Sequence, residues 1–338
     1  MTTRSVRLRS LAKVNLDLRV LNRRPDGFHE LRTVFQTISL ADTIDIAFQP
    51  ARRTTLTLDD ALAIPDNLVL RAARATLDAL KIHASVTFRL RKNIPMGGGL
   101  GGGSSNAAAV LLSLPVLAGR SLPFEKISEL AASLGSDVPF FLTGGTAVAL
   151  DRGTELYSLP EIAPEPILII ACGIHVSTAA AYTALRRAGG LTSSQLSLKM
   201  NGFRHFVRAL CELRSAWGAG SAGENDFESA VFRHHPPLAA MWRRLQKYAE
   251  GARMTGSGSA LFAVFGSKAQ RDAARKSLEG DRVFRDCRIM PAGIVSGRGY
   301  RRLWRAQLAE HLAPVSVADR DSLWPPRSRY EPHGRYRQ

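Results

Sequence analysis

The residues from Pro95 to Asn106 read Pro-Met-Gly-Gly-Gly-Leu-Gly-Gly-Gly-Ser-Ser-Asn and run into Ala107, Ala108 and Ala109. Six glycines in seven residues suit neither a strand nor a helix interior, because glycine gives up the most backbone entropy there. What they permit is a backbone that passes close to something else. Val86, Phe88 and Leu90 alternate with Thr87, Arg89 and Arg91 just before, at the period of a half-buried strand. The alanines and leucines just after favour a helix, which Ser104, Ser105 or Asn106 can cap. Strand, glycine loop and helix N-terminus make an anion site, since loop N–H groups and the helix dipole converge on one point. A flexible linker has this composition too, but not these flanks.

The kind of phosphate loop stays open at this level. Gly97, Gly99 and Gly102 fit G-x-G-x-x-G, yet a dinucleotide fold carries that pattern on its first strand–helix turn. Gly98 to Gly103 has Walker spacing, but Ser104 and Ser105 stand where Lys and Ser or Thr belong. Neither H-R-D nor D-F-G occurs, which removes a protein-kinase reading. A phosphate held here needs a cation from elsewhere. Lys13 is one candidate, sharing a strand face with Asn15 and Asp17; that face could equally be the solvent side of a sheet. Asp137, in Ser136-Asp137-Val138-Pro139, either caps a helix or accepts a hydroxyl proton. Phe28 and His29, just past the turn Pro25-Asp26-Gly27, either anchor the fold and face solvent or hold a flat heterocycle. The second glycine element, Thr255 to Ser259, is either a tight hairpin or a second wall of the phosphate site.

The elements that must position these groups follow from period and punctuation. Alternation predicts a first strand over 14–20 and one or two strands over 31–48. Helical spacing predicts helices over 68–80, with Asp66 or Asn67 as cap, and over 124–134, with Pro115 and Gly119 breaking the chain between. Strands are expected over 147–150 and 167–171. Pro160, Pro164 and Pro166 mark a domain boundary between them. The stretch 218–223 reads as small and flexible. A helix is expected over 300–312, and from Ala313 the tail receives no structure.

Length and composition allow two domains with a real core: 338 residues, 45% of them hydrophobic. The N-terminus lacks the apolar stretch of a signal peptide, and the longest apolar run is too short to span a bilayer. Cys172, Cys211 and Cys287 are spaced as neither a disulfide framework nor a zinc site, so the cytoplasm is the expected compartment. The net charge of +17 fits nucleic acid, acidic membranes or polyanionic small molecules. Nine arginines against four carboxylates from Ala292 onward would suit a nucleic-acid surface, but no recognisable nucleic-acid module accompanies them.

Taken together, Lys13-Val14-Asn15-Leu16, the glycine loop, Gly135-Ser136-Asp137-Val138-Pro139 and Thr255-Gly256-Ser257-Gly258-Ser259 resemble the GHMP small-molecule kinases over about residues 6–297. Arg24 to His29, and Val176-Ser177-Thr178 with Ala181-Tyr182, resemble the branch whose acceptor alcohol carries a cytidine diphosphate. The resemblance implies an α+β fold of two domains, 1–162 and 163–297, with the active site in the cleft between them and a basic tail over 298–338. It implies ATP and Mg²⁺, with no metal ligand assigned, and a monomer or weak homodimer that binds neither nucleic acid nor membrane. Asp137 would take the hydroxyl proton and Lys13 would hold that hydroxyl and the γ-phosphate. Pro95, Met96, Gly97, Gly98, Gly99, Leu100, Gly101, Gly102, Gly103, Ser104 and Ser105 would wrap the ATP phosphates, with Asn67 and Lys92 near the adenine. Phe28 and Tyr182 would sandwich the cytosine, His29 would bond its edge, and Asn15, Thr178 and Gly256 would lie on the acceptor side. Phe28 stands where the family often has Tyr, and Cys172 where Pro is usual. Another kinase of the family, acting on a sugar or amino acid, and a basic nucleic-acid-binding protein are the competing readings.

Overall fold

Strand β1 (Arg4–Arg23) and strand β2 (His29–Pro50) pair antiparallel along almost their whole length. The computed structural model describes residues 2–185, 191–216, 223–314 and 324–331. Both strands outrun the expected 14–20 and 31–48. Alternation marks a strand only where one face is wet, and residues 10–21 of β1 are buried on both faces. Register shifts fall between Leu11 and Ala12 and between Asn15 and Asp17. Such bulges twist a strand locally and re-aim its side chains.

β3 (Thr55–Asp60), β4 (Ala84–Arg91), β5 (Thr146–Leu150) and β6 (Glu155–Ser158) complete this sheet in the order β3-β4-β2-β5-β6, with β1 on β2. Helices α1 (Leu68–Leu80), α2 (Gly102–Ala118) and α3 (Phe124–Leu134) and the short α4 (Phe140–Thr143) belong to the same half. α2 is buried along nearly its whole length, and its alanines and leucines form the centre of one core with Phe48, Phe88 and Phe140. Its path corrects two expectations. The helix continues through Pro115 to Ala118, and its N-cap is Gly101, not Ser104, Ser105 or Asn106.

After the proline-rich 160–166 the chain enters a second sheet, ordered β10-β7-β9-β8, from β7 (Pro166–Ala171), β8 (Arg253–Met254), β9 (Leu261–Val264) and β10 (Arg288–Gly293). Helices α5 (Thr178–Ala184), α6 (Ser193–Leu213), α7 (Phe227–His234), α8 (Pro236–Gln246) and α9 (Lys268–Glu279) accompany it. The stretch 218–222, expected to be flexible, lies outside the described residues. β10 pairs with β7 so that Arg288 faces Ala171, and the next residues along, Cys287 and Cys172, are joined by a disulfide. This corrects the expectation of no disulfide; 115 residues separate the pair, and sheet register alone brings them together.

Helix α10 (Gly297–Gln307) overlaps the expected 300–312 but starts earlier and ends sooner, and it is no appendage. Tyr300, Trp304 and Leu308 are buried in the same core as α2. Beyond Ala313, where no structure was expected, residues 324–331 lie against the end of α2: Ser328 Oγ donates to Val116 O at 2.6 Å, and Ala313 N–H donates to Arg327 O at 3.0 Å. Residues 315–323 and 332–338 of the expected tail lie outside the described residues.

Candidate active site

Lys13 is 3% exposed, so its β1 face is not the solvent side of the sheet. An ammonium this deep must be answered by partners. It donates to Asn15 Oδ1 at 2.8 Å and lies 3.3 Å from Asp137 Oδ2 and 5.0 Å from the centre of the Phe35 ring. Asn15 is fixed in turn: its Nδ2 donates to Thr33 Oγ1 at 2.8 Å and its backbone N–H to Thr255 Oγ1 at 3.1 Å. Asp137 caps nothing, because the N-cap of α4 is Pro139 and has no side-chain bond. Its carboxylate keeps 34% exposure beside the buried ammonium, open to a hydroxyl from the solvent side.

The glycine loop arrives next to this pair. Leu100 O accepts the Lys13 backbone N–H at 3.0 Å. At Gly101, with φ of +70°, an added Cβ would lie 2.8 Å from the Phe141 ring and 3.1 Å from Lys13 Cγ. At Gly99 it would run into the backbone oxygen of Thr255. The two glycine elements therefore touch backbone to backbone, which no other residue would allow. The second element is a hairpin from β8 to β9, and its turn lies directly against the first loop. Thr255 Oγ1, 3.2 Å from Asn15 Oδ1 and 3.3 Å from Gly99 O, joins it to β1. The side chain of Asn225 donates to Met254 O at 2.7 Å and Gly256 O at 2.8 Å and holds the hairpin from behind.

The N-terminus of α2 opens from this loop with no side chain on its free N–H groups. Ser105, in the first turn, is 1% exposed and its hydroxyl has no hydrogen-bond partner. A buried orphan hydroxyl at the positive end of a helix suits a phosphate oxygen or its cation. Among the described residues no group of three or more His, Cys, Asp or Glu is placed to hold a metal ion, and no helix is long and apolar enough to cross a membrane.

Other expected site residues are placed with more specific partners. Asn67 is the cap of α1, accepting from Val69 N–H at 3.0 Å while its Nδ2 donates to Asp60 at 3.1 Å. Lys92 pairs with the fully buried Asp42, whose other oxygen accepts the N–H groups of Asn93 and Ile94; its ammonium also lies 3.0 Å from a Cβ position at Gly102, under the loop. Gly97 faces His175 from the second half of the chain, a neighbour that no motif signals. Thr178 shares a hydrogen bond of 3.0 Å with Ser257.

The aromatic groups are arranged differently from the expected sandwich. Tyr182 stacks on His29, ring centres 4.9 Å apart and planes 20° apart, and meets Phe227 edge-on. Phe28 is 56% exposed, with the Arg152 guanidinium 4.9 Å from its ring centre. Burial, with the charge of Asp137 adding to it, pushes the Tyr182 hydroxyl up to about 12, so it stays neutral. The Tyr182 hydroxyl therefore stands within the field of the Asp137 carboxylate. Asn225, which holds the second glycine element, and His175, which faces the first, belong to none of the motifs, whereas Thr255 opens the second of them.

Comparison with known proteins agrees with this geometry. Residues 67–145 match the GHMP kinases N terminal domain and residues 207–281 the GHMP kinases C terminal family. The chain is 50% identical over 336 residues to a 4-diphosphocytidyl-2-C-methyl-D-erythritol kinase of Solibacter usitatus, covering 98% of this chain and 99% of that protein. A kinase of the same name from Pelobacter propionicus is 37% identical over 81% of this chain and 95% of its own. A crystal structure of 4-(cytidine 5'-diphospho)-2C-methyl-D-erythritol kinase superposes with a TM-score of 0.70 at 32% identity, over 85% of this chain and 98% of that one. Homoserine kinase from Cytophaga hutchinsonii, at 19% identity and a TM-score of 0.66 over 86% of this chain and 95% of its own, shares the fold.

Proposed function

The chain belongs to the GHMP kinases, and on that premise we propose that it transfers the γ-phosphoryl group of ATP to the 2-hydroxyl of 4-diphosphocytidyl-2-C-methyl-D-erythritol. This is a step of non-mevalonate isoprenoid precursor synthesis, and the cytoplasm is the compartment that supplies its ATP. The observation that carries the reading is the half-open Asp137 carboxylate 3.3 Å from buried Lys13, beside an uncapped helix N-terminus.

Asp137 accepts the proton of the acceptor hydroxyl as that oxygen attacks the γ-phosphorus and the bond to the leaving ADP oxygen breaks. Lys13 holds the hydroxyl oxygen and the transferring phosphoryl charge, and it stays in place because Asn15 and the Leu100 carbonyl fix its head and backbone. Alignment and charge neutralisation carry most phosphoryl transfer, and a positioned base adds roughly 10²- to 10⁴-fold. The loop from Pro95 to Ser105 and the N–H groups of α2 hold the ATP phosphates. The orphan hydroxyl of Ser105 would help hold Mg²⁺, which would supply charge neutralisation to the phosphates. Asn67 and Lys92 sit on the nucleotide side, while Asn15, Thr178 and Gly256 sit on the acceptor side. Phe28, His29 and Tyr182 receive the cytosine, with His29 on Tyr182 giving a stacked platform in place of two separate faces.

A coupled ADP-release assay over a panel of acceptor alcohols tests this. Turnover with 4-diphosphocytidyl-2-C-methyl-D-erythritol and none with mevalonate or homoserine is expected. Turnover confined to another alcohol would overturn the assignment.

A further inference from the structure

The four-residue helix α4 is too short to hold itself, and its last carbonyls have no partner within the helix. Two of them are met by side chains from the C-terminal part of the chain. The Tyr300 hydroxyl donates to Phe141 O at 2.5 Å and the Trp324 indole Nε1 donates to Leu142 O at 2.9 Å. Tyr300 is 1% exposed, and a Cβ on Gly144 would lie 2.5 Å from its ring. The following glycine, Gly145, would place a Cβ 2.7 Å from the Gly297 backbone. The C-terminal segment thus fits the end of α4 without room for change.

The other side of α4 belongs to the active site. Phe141 N–H donates to Val138 O and Leu142 N–H to Pro139 O, both at 3.1 Å, so the turn that carries Asp137 continues directly into this helix. The Phe141 ring packs under Gly101 at the mouth of α2. α4 therefore joins the base to the phosphate loop, and its far end is held by Tyr300 and Trp324.

We infer that Tyr300 and Trp324 are positioning residues for the phosphoryl transfer: through α4 they fix Asp137 and Gly101 relative to each other. They touch no reacting atom. Trp324 can serve because its segment is anchored on α2 by Ser328 and on residue 313 by Arg327. The region beyond 297, past the last of the family motifs read from the sequence, is thereby part of the catalytic scaffold. The inference rests on the kinase activity proposed above.

The test replaces Tyr300→Phe and Trp324→Phe, singly and together, which keeps an aromatic ring at each position and removes both donors. The double variant is expected to lose about tenfold in kcat, with KM for ATP and for the acceptor unchanged. Amide hydrogen exchange over residues 136–145 is expected to rise by about the same factor while α1 keeps its wild-type protection. Wild-type kcat, or wild-type exchange over 136–145, overturns the inference. So does a uniform rise in exchange through the whole first sheet, the mark of lost stability alone. If the unmodified protein fails to phosphorylate the acceptor, the kinase assignment falls, and exchange over 136–145 by itself decides whether the brace exists.

Discussion

β1 carries two buried ionic groups four residues apart, and they are answered in opposite ways. Asp17 and Arg19 close on each other: Arg19 donates to both carboxylate oxygens at 2.9–3.2 Å, and Asp17 also accepts the Glu224 N–H at 2.9 Å. Neither residue exceeds 2% exposure. Lys13 is buried as deeply, but its carboxylate partner stays a third open. A buried charge with every bond filled is fixed in the fold; one whose partner faces solvent keeps a bond to give to a substrate. One strand thus holds a structural pair and a chemical one, and the register shift between Asn15 and Asp17 turns them to different faces, which alternation alone does not reveal.

The sharpest way to break this comparison is to exchange the roles. Asp137→Asn is expected to lower kcat by roughly 10²- to 10⁴-fold in steady-state assays, with nucleotide affinity and Tm unchanged. A variant that instead unfolds would put Asp137 in the same class as Asp17. Asp17→Asn leaves the Arg19 guanidinium buried beside a weakened partner, with Glu224 and the more distant charge of Asp226 still set against it. Denaturant unfolding should show a loss of about 3–5 kcal/mol, while kcat per folded molecule holds. A stable but inactive protein would reverse the assignment.

Glu228 extends the structural cluster. Its carboxylate accepts the Met254 N–H at 2.7 Å, and burial pushes it up to about 7 against an ordinary 4.5; burial likewise draws Arg253 down to about 10. Between pH 4.5 and about 7 the folded chain keeps a proton on Glu228 that the unfolded chain has lost. Stability therefore falls as pH rises from about 4.5 to about 7. Glu228→Gln keeps the acceptor and removes the titration, so the difference in unfolding free energy between variant and wild type should grow across that window by on the order of 3 kcal/mol. Parallel pH profiles would show that the group is not held in its neutral form. The smallest effect belongs to the exposed ring of the site. Phe28→Ala should raise KM for the acceptor, with a stack worth about 1–3 kcal/mol, and leave KM for ATP and Tm alone. Equal rises in both KM values would remove Phe28 from the cytidine side.

Much of the architecture was legible because its signals are local. The helix over 68–80, the strand before the glycine loop and the helix over 124–134 follow from period and breakers. The length of β1 was hidden, since a strand buried on both faces loses its alternation. Pro115 misled because a missing N–H is tolerated where packing on every side holds the helix. The C-terminal region reads as a basic tail because its arginines outnumber its anchors, yet Tyr300, Trp304 and Leu308, with Leu303, Leu312 and Trp324 packed beside them, tie it into the core. The Cys172–Cys287 bond had no signal at all in spacing.

What the sequence by itself determined is the chemistry available: a glycine loop opening a helix, a missing lysine within it, and a short set of charged and aromatic residues at other motifs. Residue type and backbone freedom are properties of the chain at each point, so they can be read there. Which charge is answered and which is left open only the tertiary structure decided. It set Asp137 against Lys13 and not at a helix cap, turned Tyr182 onto His29, and pressed Gly99 against Thr255. These are distances between residues remote in sequence, and they follow from how two sheets and their loops pack together.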